Sequence, residues 1–345
     1  MPAAYTFTLL HDFPEPRIGT AWREFLERVE LPSHYCAPEF FKEPFFGDGQ
    51  APFAVLALDQ DRVIGVATGV RGLRETQCGL PSRPQICVDA ASDLVAVELA
   101  LLQGLLAEAH SSELLSVYSW SPLDSFCSHG FRFRETEGVV MLDLAKGPDC
   151  LFREFSADKR RNIRFSMKHG VEVYQATAHE DFLQFYDVYL AWRATSRKEI
   201  EGSQIAFETF ERAFALTANR LLLLARYSGK VIAANSFRFY RGGLFESAAN
   251  HSRPEFIHMK PNELLQWRGI EWACRHKLLR HSLGGSHPFL RGFGNTLAPV
   301  YRYRLDRTLL HRNDLLETMS DWGRMWLKKM PKPVERRIRL VLRRI

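Results

Sequence analysis

Two stretches of this chain repeat one order of elements, and a sequence that states a pattern twice folds as two similar units in tandem. Leu56, Ala57, Val63 and Ile64 in one apolar hairpin correspond to Leu224, Ala225, Val231 and Ile232 in another, a constant offset of 168 residues (Leu224 less Leu56). Further along, Leu101-Leu102-Gln103 is matched by Leu264-Leu265-Gln266 at an offset of 163 (Leu264 less Leu101). Each hairpin is followed by strand, helix and strand, so duplication explains the order better than chance. A length of 345 residues agrees, because it exceeds what one hydrophobic core fills. Gly147-Pro148 supplies a break. The expected division is residues 1–147, residues 148–311 carrying the donor site, and a basic tail at 312–345.

With 46% hydrophobic and 25% charged residues the chain reads as folded rather than disordered. Its six cysteines form no CxxC and no even framework, which points to free thiols in a reducing compartment and away from a metal site. Met1 to Phe13 lacks the basic start and apolar run of a signal peptide, and no stretch of about 18 apolar residues occurs. A cytoplasmic protein is expected. The net charge of +6 is local: from Arg312 onward there are ten basic and four acidic residues, which account for all of it. That tail forms two amphipathic pieces, Asn313 to Met330 and Val334 to Ile345, separated by Pro331 and Pro333. In the second, Ile338, Val341, Leu342 and Ile345 make an apolar stripe flanked by arginines. Such a piece suits peripheral contact with the inner face of an anionic membrane, a partner, RNA phosphates, or the body of the protein itself.

Taken in order, alternation and turn residues predict a hairpin over Phe53–Leu58 and Arg62–Val70, a strand at Gln85–Val88, a helix capped by Ser92 or Asp93, and strands at Leu114–Ser119 and from Gly130 to Leu144. The second half gives a helix from Leu151 to Lys168, another marked by Phe182, Phe185, Tyr186 and Tyr189, a hairpin over Leu221–Tyr227 and Val231–Tyr240, and a strand from Leu244 to Asn250. A helix opening at Pro261 carries Leu264, Trp267, Ile270 and Cys274 on one side, and a further strand ends at Gly284-Gly285. Strand, helix start, helix and strand in that order can splay two neighbouring strands and aim a helix N-terminus at a phosphate.

Lys159-Arg160-Arg161-Asn162-Ile163-Arg164, followed by Lys168-His169-Gly170-Val171, resembles the opening of the second domain in FemAB-type and BioF2-like two-domain members of the GNAT acyltransferase superfamily. Pro261-Asn262-Glu263-Leu264-Leu265, Leu283-Gly284-Gly285-Ser286 and Arg291-Gly292-Phe293-Gly294 fit the rest of that domain in register. The resemblance covers about Leu151 to Arg307. It implies an α/β fold of tandem GNAT units, each a mixed, mostly antiparallel sheet flanked by helices. It also implies acyl transfer to an amine, an amino sugar, an amino acid or an envelope or exopolysaccharide precursor, with acyl-CoA as co-substrate and no covalently bound cofactor, or with aminoacyl-tRNA as donor in one branch. Two departures stand out: His258-Met259-Lys260-Pro261-Asn262 replaces the glycine-rich pyrophosphate loop, and Phe289-Leu290 replaces an aromatic-Lys pair. They keep open a third reading, a non-catalytic module that binds through its tail.

Acyl transfer to an amine needs a neutral amine held in place and donors for the oxyanion. Glu246, the only carboxylate of its strand, and His251 at its end are the candidate proton acceptors. Met259, Lys260, Asn262, Glu263 and Leu264 at the helix start, with Arg291 in the glycine-flanked loop, are the expected donor-binding residues. Arg160, Arg164 and Lys168 share one helix face with Arg161 beside it, and this patch, extended by Arg193, Arg197 and Lys198, is expected to be a solvated cationic face or to meet a phosphorylated acceptor or a nucleic-acid donor. Asn235 inside an apolar strand either has a structural partner or faces the acceptor. Tyr301 belongs to an alternating strand and is a remote candidate for substrate contact.

Overall fold

The computed structural model describes residues 5–47, 49–195, 204–215 and 217–329. The first half contains β1 (Thr6–Leu10), α1 (Pro16–Leu26), β2 (Ala51–Asp59), β3 (Arg62–Arg71), β4 (Glu75–Cys78), β5 (Ile86–Val88), α2 (Leu94–Glu108), β6 (Leu114–Ser119), α3 (Asp124–Cys127), β7 (Arg132–Glu135) and β8 (Val139–Asp143). The second contains α4 (Pro148–Glu154), α5 (Ala157–Lys168), β9 (Glu172–Gln175), α6 (His179–Thr195), α7 (Phe207–Ala215), β10 (Arg220–Tyr227), β11 (Lys230–Phe239) and β12 (Leu244–Ser252). It continues through α8 (Pro261–Arg275), β13 (Arg280–Ser282), α9 (Pro288–Arg291), β14 (Leu297–Ala298), β15 (Tyr301–Asp306) and α10 (Arg312–Lys329).

The near-continuous apolar runs of β2, β3, β10 and β11 are buried on both faces, which is why they form sheet centres rather than half-exposed ribbons. Ser228 and Gly229, both at positive φ, close the β10–β11 hairpin. The helix expected over Leu151–Lys168 is two helices: Phe155 is extended, and the Ser156 side chain accepts from the Lys159 N–H to restart the chain as α5. Four strands were not anticipated, β1, the polar β4, β9 and the two-residue β14, and the strand expected from Gly130 to Leu144 is two, β7 and β8, in different sheets.

One sheet has the order β1-β2-β3-β4-β6-β15-β7 with β5 also on β3, and the other β14-β8-β13-β12-β11-β10-β9. Each has one parallel pair, β4 with β6 and β12 with β13; all other pairs are antiparallel. The duplication extends to register. Val70 faces Gln77 as Arg238 faces Glu246, and Gly65 faces Val88 as Ala233 faces Ser252. Where β12 has a bulge, the first half inserts residues 79–85 between β4 and β5. The sheets do not divide at residue 147. β8, from the first half, pairs with β13, while β15, from the second, lies between β6 and β7. Each half lends the corresponding strand to the other.

In the second sheet, α8 and α5 cover one face over a core that includes Ile163, Phe237, Leu265 and Ile270. An aromatic layer from α6 and α7, with Phe185, Tyr189, Phe210 and Phe214, covers part of the other. Between this second face and the first half runs the segment from Ser33 to Phe46, anchored by the buried Glu43.

Candidate active site

β12 and β13 pair only over Leu244–Glu246 and Arg280–Ser282 and then part. A cavity of about 360 Å³ fills the fork, lined by Ser247 to Asn250 on one side, Leu283 and Gly284 on the other, and Asn262 and Gln266 from α8. Its outer wall is His287, Phe289 and Leu290. α8 opens on Lys260, held at φ 57°, with Pro261 next, and no cap side chain accepts from its first-turn N–H groups. Glu263 in that turn is held by Lys159 Nζ at 3.3 Å and Asn162 Nδ2 at 3.1 Å. Lys159 in turn lies 3.3 Å from the Phe289 ring centroid. Burial lowers the Lys159 pKa against the pull of Glu263. The carboxylate of Glu263 is thus matched by a cation at the point where an anion would approach.

The register between β11 and β12 shifts at Ser236/Phe237, leaving Ala248 without a partner in the ladder. A second cavity, of about 390 Å³, lies across this bulge and is walled by Phe185, Tyr189, Trp192, Phe210 and Phe214, with Arg193, Arg220, Arg238 and His251. Ala248 and Ala249 line both cavities, so the bulge is the partition between them. The extra residue has a further consequence. Residues five apart on a regular strand point to opposite faces, yet here Glu246 is paired with Arg238 and His251 with Ala234, which share a face.

Glu246 is 2% exposed, its Oε2 has no hydrogen-bond partner among the described residues, and burial pushes its pKa up to about 7 against the opposing pull of Arg83 and Arg238. His251 sits among Trp192, Tyr189 and Phe185, with the Trp192 ring 4.5 Å away centre to centre. Burial lowers its pKa to about 4, so the imidazole is neutral at pH 7, and its Nδ1 has no partner among the described residues. Arg83, at the end of the 79–85 insertion, donates to the Ala248 carbonyl at 3.0 Å and lines both cavities. It also lines a third of about 270 Å³ between the halves, shared with Tyr35, Glu43, Gln77 and Arg238. Glu43 accepts from His34 Nε2 at 2.5 Å, Arg220 Nη2 at 2.5 Å and Arg238 Nε at 3.2 Å. Burial works to raise its pKa, but the His34 hydrogen bond and the two guanidiniums hold it well below the usual carboxylate range.

A polar chain backs the fork. His281 Nδ1 donates to the Phe245 carbonyl at 3.0 Å, which leaves Nε2 to accept from the Gln266 amide at 2.6 Å. Gln266 Oε1 in turn accepts from Asn235 Nδ2 at 3.1 Å. Burial lowers the His281 pKa to about 4, consistent with this neutral tautomer. Asn235 therefore has a structural partner and also lines the fork.

The other expected residues are dispersed. Met259 and Leu264 are buried in the second sheet's core and line none of the cavities described above. Arg160 donates to the carbonyls of Arg153 and Phe155, Arg161 pairs with Asp158, and Arg164 lies over Phe152. None of the three lines the cavities described above; they form the solvated outer face of α5. Arg291 donates to the Ser286 carbonyl at 2.6 Å and so braces the loop walling the fork. Tyr301 belongs to the first sheet and stacks on Phe133. Arg197 and Lys198 lie outside the described residues. Sequence reasoning missed Arg83, Lys159, Trp192, Gln266 and His281. Of these only Lys159 and Gln266 sat in stretches already singled out.

Residues 154–293 match the family model described as an acetyltransferase (GNAT) domain. No curated protein matches the chain significantly. Among solved structures, FemX is similar at 13% identity and TM-score 0.63 over 90% of this chain and 99% of that one. L-PGS from Bacillus licheniformis is similar at 12% identity and TM-score 0.59 over 90% and 98%. A tandem GNAT protein from the clavulanic acid biosynthesis pathway is similar at 12% identity and TM-score 0.56 over 88% and 99%. At these identities the likeness is one of fold.

Proposed function

We propose that this chain, of which residues 154–293 match the acetyltransferase (GNAT) domain model, transfers an acyl group from acyl-CoA to an amine at the β12 bulge. The observation that carries this reading is the fork between β12 and β13, which meets a second cavity across Ala248 and Ala249. In this reading the pantetheine arm lies in the fork, and the pyrophosphate meets the uncapped start of α8 at Lys260 and Asn262. The thioester carbonyl reaches the bulge, where backbone N–H groups outside the regular ladder receive the oxyanion. The amine enters from the aromatic cavity. His251 Nδ1 accepts one of its N–H groups and orients it, and Glu246, with a pKa near operating pH, takes the proton through water. The amine nitrogen then bonds to the acyl carbon, and the thiolate of CoA leaves.

Calorimetric titration of the full chain with CoA tests the donor. Binding that survives RNase treatment is the expected result; no binding of CoA, together with transfer that RNase abolishes, would establish the aminoacyl-tRNA alternative instead.

We also propose that α10 rests on an anionic membrane surface. Leu315, Met319, Trp322 and Trp326 recur at helical spacing and are 56 to 72% exposed. Asp314, Glu317 and Asp321 on the roughly opposite side are consumed by ion pairs with Arg304, Arg302 and Arg134 of the first sheet. The acids thus face the body and the apolar stripe faces out. The sequence beyond α10 adds Lys332, Arg336, Arg337, Arg339, Arg343 and Arg344 against Glu335, a charge complementary to an anionic bilayer. Co-sedimentation with vesicles containing phosphatidylglycerol, lost in W322A/W326A, is expected. Equal sedimentation of variant and parent, or none with either, would contradict it.

A further inference from the structure

The aromatic cavity also speaks to which amine is accepted. We infer that it takes an amine with an apolar body and a carboxylate, in the manner of a hydrophobic amino acid, rather than a hydroxylated amino sugar; this rests on the acyl-transfer reading above. Its walls, Phe185, Tyr189, Trp192, Phe210 and Phe214, offer few hydrogen-bonding groups, so each sugar hydroxyl placed there would lose its water without a replacement. The charge on its lining is one-sided. Arg83, Arg193, Arg220 and Arg238 line it, while Glu43, which both Arg220 and Arg238 share, and Glu246, the ladder partner of Arg238, are not among its lining residues. Arg220 lines the cavity, is 7% exposed, and shares its carboxylate partner Glu43 with Arg238 and His34. Two buried guanidiniums on one carboxylate leave positive charge that an acceptor carrying negative charge can answer. When Glu246 accepts the amine proton its charge is lost, and the excess of cations grows at the moment the product forms. A ligand carboxylate on Arg220 answers both states, while an amine without one adds a cation to a site already rich in them.

The test compares L-phenylalanine, phenethylamine and glucosamine by calorimetry with the full chain, each with and without saturating CoA. L-Phenylalanine is expected to bind at least about tenfold more tightly than phenethylamine, which differs only in lacking the carboxylate, and glucosamine is expected not to bind. W192A should weaken L-phenylalanine while leaving CoA affinity unchanged, since Trp192 lines only the aromatic cavity of the two. Equal affinity for amine and amino acid, tighter binding of glucosamine, or no binding of any of the three would overturn the inference. The CoA arm separates the two readings: CoA binding without amino-acid selectivity sinks this inference alone, and amino-acid binding without CoA binding sinks the donor reading alone.

Discussion

Glu246 is a carboxyl that the folded protein holds at some cost to its own stability. Its proton is bound more tightly in the folded chain, with a pKa of about 7 against the ordinary 4.5. Folding is therefore progressively penalised as pH rises from about 4.5 to about 7 and stays penalised above, by about 3 kcal/mol if the whole shift is expressed. E246Q removes that cost. Its melting temperature should exceed the parent's at pH 8 and match it near pH 5, while kcat falls by about 10²- to 10⁴-fold; a variant less stable than the parent at pH 8, or one with unchanged kcat, would contradict the role. Glu246 and His251 could be singled out in the sequence because each is the one titratable side chain at its place in the strand. That they share a face could not, because strand alternation puts residues five apart on opposite faces, and the bulge that reverses this is a matter of pairing with β11. Arg83 was illegible for a similar reason: its partner, the Ala248 carbonyl, is 165 residues away.

At the scale of elements, the helix opening at Pro261 was readable to the residue, since proline at the first position and the 3.6-residue stripe are local signals. Both hairpins were readable to within two residues at each end. The partnership of β8 and β15 was not: local pattern gives a strand but not its neighbour. The exchange places Val140 and Leu142 of β8 in the second sheet's core and Tyr303 of β15 in the first. Chains cut at the expected boundary, 1–147 and 148–345, should each lack an internal strand and leave a sheet edge open. Expressed separately, neither is expected to show the cooperative thermal transition of the full chain, and mixing the two should restore it; a cooperative transition in either alone would show that the lent strand is dispensable.

Over the whole molecule, duplication followed by divergence explains why one half carries the fork that we read as the donor site. Both halves keep the parallel pair beside a 15-residue helix. In the second half the interruption between strand segments is a single bulged residue that opens onto cavities on two faces, whereas in the first it is the insertion 79–85, which sends Arg83 across to the other unit. The first half thus supplies a wall of the site that the second half builds. Hydrogen exchange with and without CoA tests this division of labour. Slower exchange at Ser247–Asn250, Pro261–Gln266 and Leu283–Leu290, with β4 and α2 unchanged, is the expected pattern. No protection at the fork, or protection confined to the first half, would mean that no activated acyl carrier sits between β12 and β13.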